Sequence, residues 1–119
     1  MAIEMYGYPI CNTCKKAERF LKDNGIEYTY HHIVENPPSR ELLKSMAETN
    51  GFELKRLFNV TGQKYREMGL KHRLPRMTDD EKLDLLVSDG MLIKRPFTTD
   101  GTKATIGFRE EEFDNVWTK

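Results

Sequence analysis

A chain of 119 residues with 19 basic and 19 acidic side chains has no net charge and is long enough for one domain with its own core. That balance excludes a global field for drawing in nucleic acid or an anionic membrane, and no apolar run is long enough to span a bilayer. The start, Met1-Ala2-Ile3-Glu4-Met5, lacks the charged and apolar regions of a signal peptide, so a cytoplasmic protein is expected.

Ala2-Ile3-Glu4-Met5-Tyr6 alternates apolar and polar residues and runs into Gly7 and Pro9, which predicts a short strand ending in a turn. Next come both cysteines of the chain, Cys11 and Cys14, two residues apart. Cys14, Ala17, Phe20 and Leu21 then recur at helical spacing until Asn24-Gly25 supplies a left-handed stop. This order places Cys11 at or just before a first helical turn, where free backbone N–H groups and the helix dipole favour an anion.

The thiolate is the nucleophile, and a leading cysteine of such a pair can have its pKa brought well below the free value of about 8.5. Cys11 is the candidate attacking thiol and Cys14 the candidate resolving one. Two other readings stay open at this point: inert buried cysteines, or half of a zinc site. Structural zinc normally takes four ligands, and His31, His32 and His72 show no finger-like spacing, so no metal is expected. In a reducing cytoplasm the pair points to catalysis or sensing rather than to a permanent staple.

Ile26 to Val34 is rich in aromatic and β-branched residues and reads as a second strand, completing a right-handed βαβ unit with parallel strands. His31 and His32, adjacent on that strand, face opposite ways and are expected to pack rather than act as a pair. After Asn36-Pro37-Pro38, Ser39 caps a helix through Leu42, Leu43, Met46 and Ala47 that stops near Asn50-Gly51. From there to Gly90 the pattern stays helical, with a capping box at Thr78-Asp79-Asp80-Glu81. Scattered basic residues in this block, Lys55, Arg56, Lys64, Arg66, Lys71, Arg73 and Arg76, read as a solvated face or a docking surface. Met91 to Phe97 resumes strand character, although Pro96 argues for a turn, a bulge or a cis peptide. A hairpin over Thr99-Asp100-Gly101-Thr102 leads into a strand over residues 103–108, and Phe113, Val116 and Trp117 mark a short terminal helix with Trp117 as a core anchor. The fold class is α/β: a mixed sheet flanked by helices, with a helical insertion over about residues 39–90 between the βαβ half and the hairpin.

Four stretches carry a resemblance to a known family: Cys11-Asn12-Thr13-Cys14-Lys15-Lys16-Ala17, Glu35-Asn36-Pro37-Pro38-Ser39-Arg40, Lys64-Tyr65-Arg66-Glu67-Met68-Gly69-Leu70 and Asp89-Gly90-Met91-Leu92-Ile93-Lys94-Arg95-Pro96. Together they resemble the arsenate reductase-like branch of the thioredoxin-like fold, which includes the Spx and MgsR types. The resemblance implies a single thioredoxin-like domain over residues 1–119, a nucleophile at Cys11, Arg95 beside the site, and Pro96 as a cis-proline facing the cysteine motif. Asn12, Thr13 and Pro96 become candidate substrate-binding residues. No resident cofactor is implied; the reductant would be external, either glutathione, a related low-molecular-weight thiol, or thioredoxin or glutaredoxin.

The chain also departs from that pattern. Arsenate-reducing members gather three arginines around the thiol, and only Arg95 aligns here. The other two positions fall near Asn59 and on Phe108, with Arg109 adjacent and, in a strand, expected on the opposite face. Each charge-assisted hydrogen bond lost removes roughly 1.5–3 kcal/mol, which argues against arsenate reduction. Three readings are carried: first a thiol–disulfide oxidoreductase acting on a disulfide or small thiol, then a redox-sensing regulator binding the α subunit of RNA polymerase, and third an arsenate reductase, which the missing arginines oppose. A monomer is expected in each case, without direct contact to nucleic acid or membrane.

Overall fold

The computed structural model describes residues 2–119. The alternating N-terminal stretch forms β1 (Ile3–Gly7), and its period of two sorts the core. Ile3 and Met5 pack on one face of the sheet with Ala17, Leu21, Phe113 and Trp117. Tyr6 turns to the other face, where Leu43, Met46, Leu83, Leu86 and Phe97 are buried.

Strand β2 (Tyr28–His32) pairs parallel to β1, with Ile3 opposite Tyr28 and Gly7 opposite His32. On the other side β3 (Phe97–Thr99) runs antiparallel to β1, and β4 (Ala104–Ile106) antiparallel to β3, giving the order β2-β1-β3-β4. Helices α1 (Asn12–Asp23) and α6 (Glu110–Trp117) cover the first face. Helices α2 (Arg40–Asn50) and α5 (Asp79–Ser88) cover the second, with short α3 (Gln63–Glu67) and α4 (Leu70–Arg73) between them. This is the mixed α/β architecture that the sequence predicts.

Local chemistry explains the boundaries. Ser39 Oγ accepts the Leu42 N–H at 3.1 Å and starts α2, which ends at Gly51 with φ +72°. Thr78 and Glu81 close the capping box of α5, through bonds of 3.1 and 2.8 Å. Arg40 then ties α2 to α5 by reaching Asp80 at 2.9 Å and Asp84 at 2.8 Å. His31 stacks on Tyr6, with ring centres 4.6 Å apart, and meets Glu4 at 3.0 Å. His32 faces the other way, and its Nδ1 accepts the N–H groups of Val34 and Glu35. The two imidazoles serve packing and a turn, each on its own side of β2.

Two strands differ from the sequence reading. Met91 to Ile93 is not a strand: Gly90–Leu92 forms a 3-10 turn, capped by Asp89 on the Met91 N–H at 2.9 Å. Its apolar side chains, Leu92 and Ile93, are buried against the insertion, and Ile93 makes only an isolated bridge to Phe58. The strand proper begins after Pro96, which has no N–H to give to a ladder. The Arg95–Pro96 bond is cis. The returning strand stops at Ile106 rather than Phe108, because Gly107 adopts φ +77° and turns the chain out of the sheet.

Candidate functional site

The turn after β1 is closed by the Cys11 N–H donating to the Tyr8 carbonyl at 3.1 Å. It delivers Cys11 as the N-cap of α1 in an extended conformation (φ −86°, ψ 111°), with its Sγ accepting the Cys14 N–H at 3.2 Å. A sulfur thus occupies the place usually taken by a Ser or Asp oxygen, at the helix end where backbone N–H groups stabilise negative charge. Cys11 is partly exposed, Cys14 is fully buried, and both are free thiols. Burial pushes the Cys14 thiol up to about 12, reinforced by its hydrogen bond and charge interaction with Cys11. The Tyr8 backbone and the Arg95 guanidinium pull it in the other direction. One thiol therefore faces solvent and the other is held protonated beneath it.

Cys11 opens into a cleft of about 560 Å³ that is also lined by Thr13, Asn59, Arg95 and Phe108. Arg95 lies over the Tyr8 ring at 5.4 Å. Pro96 is buried next to it, and its carbonyl accepts the Gly107 N–H at 2.9 Å. Asn12 is the first residue of α1 and is exposed; the cleft lining takes Thr13 from this turn.

The cleft is more basic than the sequence reading expects. Arg56, Lys94 and Arg109 join Arg95 in its walls, against the single carboxylate of Glu112. Strand alternation places Arg109 on the face opposite Phe108, but β4 has already ended, and the turn at Gly107 brings both residues into the lining. Arg56 and Lys94 come together through backbone bonds between distant segments: Lys94 N–H to Leu57 carbonyl and Asn59 N–H to Leu92 carbonyl, each 2.7 Å. No short-range pattern carries that pairing. The cleft is thus cationic although Asn59 and Phe108 stand in its lining, with positive charge supplied by Arg56, Lys94, Arg95 and Arg109. Among the described residues, no group of three or more His, Cys, Asp or Glu side chains is arranged to hold a metal ion. No helix there is long and apolar enough to cross a membrane.

A sequence model of the ArsC family matches residues 6–116. YusI of Bacillus subtilis (strain 168) is 52% identical over 98% of this chain and 99% of its own length. The regulatory protein MgsR from the same organism is 29% identical over 92% of this chain and 86% of its own. Proteins named arsenate reductase are also among the relatives. A crystal structure of an ArsC family related protein from Bacteroides fragilis superposes with a TM-score of 0.91 at 38% identity, covering 97% of each chain. A thioredoxin-like mixed sheet, a cysteine pair at the start of its first helix and a match across nearly the whole length lead to one assignment: the chain belongs to the ArsC family.

Proposed function

We propose that this protein is a thiol–disulfide oxidoreductase whose substrate is the disulfide of an anionic thiol. The observation that carries this reading is the pairing of an accessible Cys11, capping a helix at the mouth of a cationic cleft, with a buried free Cys14 one turn on. Cys11 thiolate attacks one substrate sulfur; the substrate S–S bond breaks, one thiolate leaves, and a Cys11–substrate disulfide forms. Cys14, deprotonated, then attacks Cys11 Sγ, closes the Cys11–Cys14 disulfide and releases the second thiolate. An external thiol, such as glutathione or a thioredoxin-type dithiol, returns the pair to the reduced state. Arg95 and its cationic neighbours hold the substrate's negative charge, with Thr13 and the Pro96 turn shaping the mouth.

The test is turnover of glutathione disulfide and of a glutathionylated peptide with a dithiol reductant, comparing wild type, Cys11→Ser and Cys14→Ser. Turnover lost in Cys11→Ser, with a mixed disulfide trapped in Cys14→Ser, supports the reading. No reaction with any disulfide sinks it. Arsenate in a parallel arm shows whether the cleft's cations serve an oxyanion instead.

A second reading rests on MgsR, a regulatory protein matched over most of this chain. Here the redox state of Cys11 and Cys14 governs binding to the α subunit of RNA polymerase. Capture of that subunit by the oxidised form and not by the reduced form, or the reverse, favours the regulator.

A further inference from the structure

A buried thiol that must act as a nucleophile poses a problem the site described so far does not solve: its proton needs a way out. The side chains around Cys14 offer one group suited to that role. An added Cβ at Gly7 would lie 2.6 Å from the Tyr30 hydroxyl and 3.1 Å from Cys14 Sγ, so the two heteroatoms flank the space that glycine leaves empty at the end of β1. Tyr30 makes no hydrogen bond among the described residues that accounts for its hydroxyl, and burial first, then the charges of Cys14, Glu18 and Cys11, push that hydroxyl up to about 12, with Arg95 opposing. Its ring packs against the cluster of Ile3, Met5, Ala17 and Leu21. On its outer side Tyr30 shares a surface groove with Glu18, which lies one helical turn beyond Cys14 on α1 and accepts the Tyr28 hydroxyl at 2.7 Å. Tyr30 thus spans from the buried sulfur to solvent.

We infer that Tyr30 is a positioning residue for the resolving thiol: its hydroxyl accepts the Cys14 proton and passes its own to water in the groove beside Glu18, so that Cys14 attacks the Cys11 mixed disulfide as a thiolate. This rests on the thiol–disulfide reading above. The step balances as written there: Cys14 Sγ bonds to Cys11 Sγ, the electron pair of the broken bond leaves on the substrate thiolate, and the Cys14 proton passes to water. The charged and titratable groups facing this pair are Cys11 at the cap of α1, Glu18 from α1, Tyr28 from β2 and Arg95 from the turn before β3.

The test follows the release of coloured thiolate from 5,5′-dithiobis(2-nitrobenzoate), an anionic aromatic disulfide, by stopped flow in wild type and Tyr30→Phe. Attack by Cys11 releases the first equivalent and resolution by Cys14 the second. The first phase is expected to be unchanged in Tyr30→Phe, and a far-ultraviolet circular dichroism spectrum matching wild type checks that the protein is folded. The second phase slows by about tenfold or more at neutral pH, and the gap closes at alkaline pH, where hydroxide takes the proton directly. A second phase at the wild-type rate, or a deficit that is the same at every pH as a packing defect would give, overturns the role of Tyr30. Wild type releasing no second equivalent overturns the thiol–disulfide reading itself, and with it this inference.

Discussion

The Cys14 backbone N–H donates to Cys11 Sγ across 3.2 Å, so the candidate nucleophile is also the cap of the helix that carries its partner. Stability and chemistry therefore separate on substitution. Cys11→Ser keeps a capping atom and is expected to unfold in urea at or above the wild-type midpoint, while losing all disulfide chemistry. Cys11→Ala loses the cap and is expected to be about 1 kcal/mol less stable than Cys11→Ser. Equal midpoints for the two variants would show that the sulfur does not cap.

The two thiols should also differ in access. Brief treatment of the native protein with iodoacetamide at neutral pH is expected to add one label, on Cys11, because Cys14 is fully buried with its thiol pushed up to about 12 by burial and by Cys11. Two labels appear only in denaturant. Mass spectrometry of the intact and digested protein decides, and a native double adduct rules out the buried position of Cys14.

Cleft charge is expected to govern the choice of substrate. The pair of substitutions Arg56→Gln and Arg109→Gln should slow attack on a dianionic disulfide by about tenfold at low ionic strength, leave a neutral disulfide unaffected, and lose its effect as salt is raised. Equal slowing of both substrates would mean that these cations do not select for charge.

The hairpin between β3 and β4 carries a pH signature. Burial alone would raise the Asp100 carboxyl, but the N–H groups of Lys103 and Thr102, at 2.8 and 2.9 Å, outweigh it and hold the group below its ordinary 3.8. A carboxylate whose folded value is depressed stabilises the fold at pH above its unfolded value, and that contribution is lost as pH falls through the folded value. Asp100→Ala is expected to cost about 1–2 kcal/mol at neutral pH, and its gap from wild type to shrink only once the pH drops below 3.8. A gap that is constant with pH would show that the carboxylate's charge is not what matters.

Much of this architecture is legible locally. The alternation Ile3-Glu4-Met5-Tyr6, the cap at Ser39 and the box at Thr78 and Glu81 each encode an element within a few residues, and each forms. Cys11 and Cys14 are legible for the same reason: two adjoining elements fix their geometry. Two features are not legible. Met91-Leu92-Ile93 looks like a strand because it is apolar, yet Leu92 and Ile93 are buried by the insertion and the backbone has no partner strand beyond the bridge to Phe58. Arg56 and Lys94 enter the cleft through contacts across some forty positions of chain, and Arg109 through one glycine with φ +77°. Position in sequence says nothing about such meetings until the fold makes them.

That division has a consequence for the order in which a ribosome makes the molecule. The strand, turn and helix that set out the two sulfurs are translated first, whereas β3, which flanks β1, and the cations Lys94, Arg95 and Arg109 emerge in the last quarter of the chain. A nascent chain therefore exposes Cys11 long before most of the cleft's walls exist. The charged surroundings of this thiol belong to the finished protein alone.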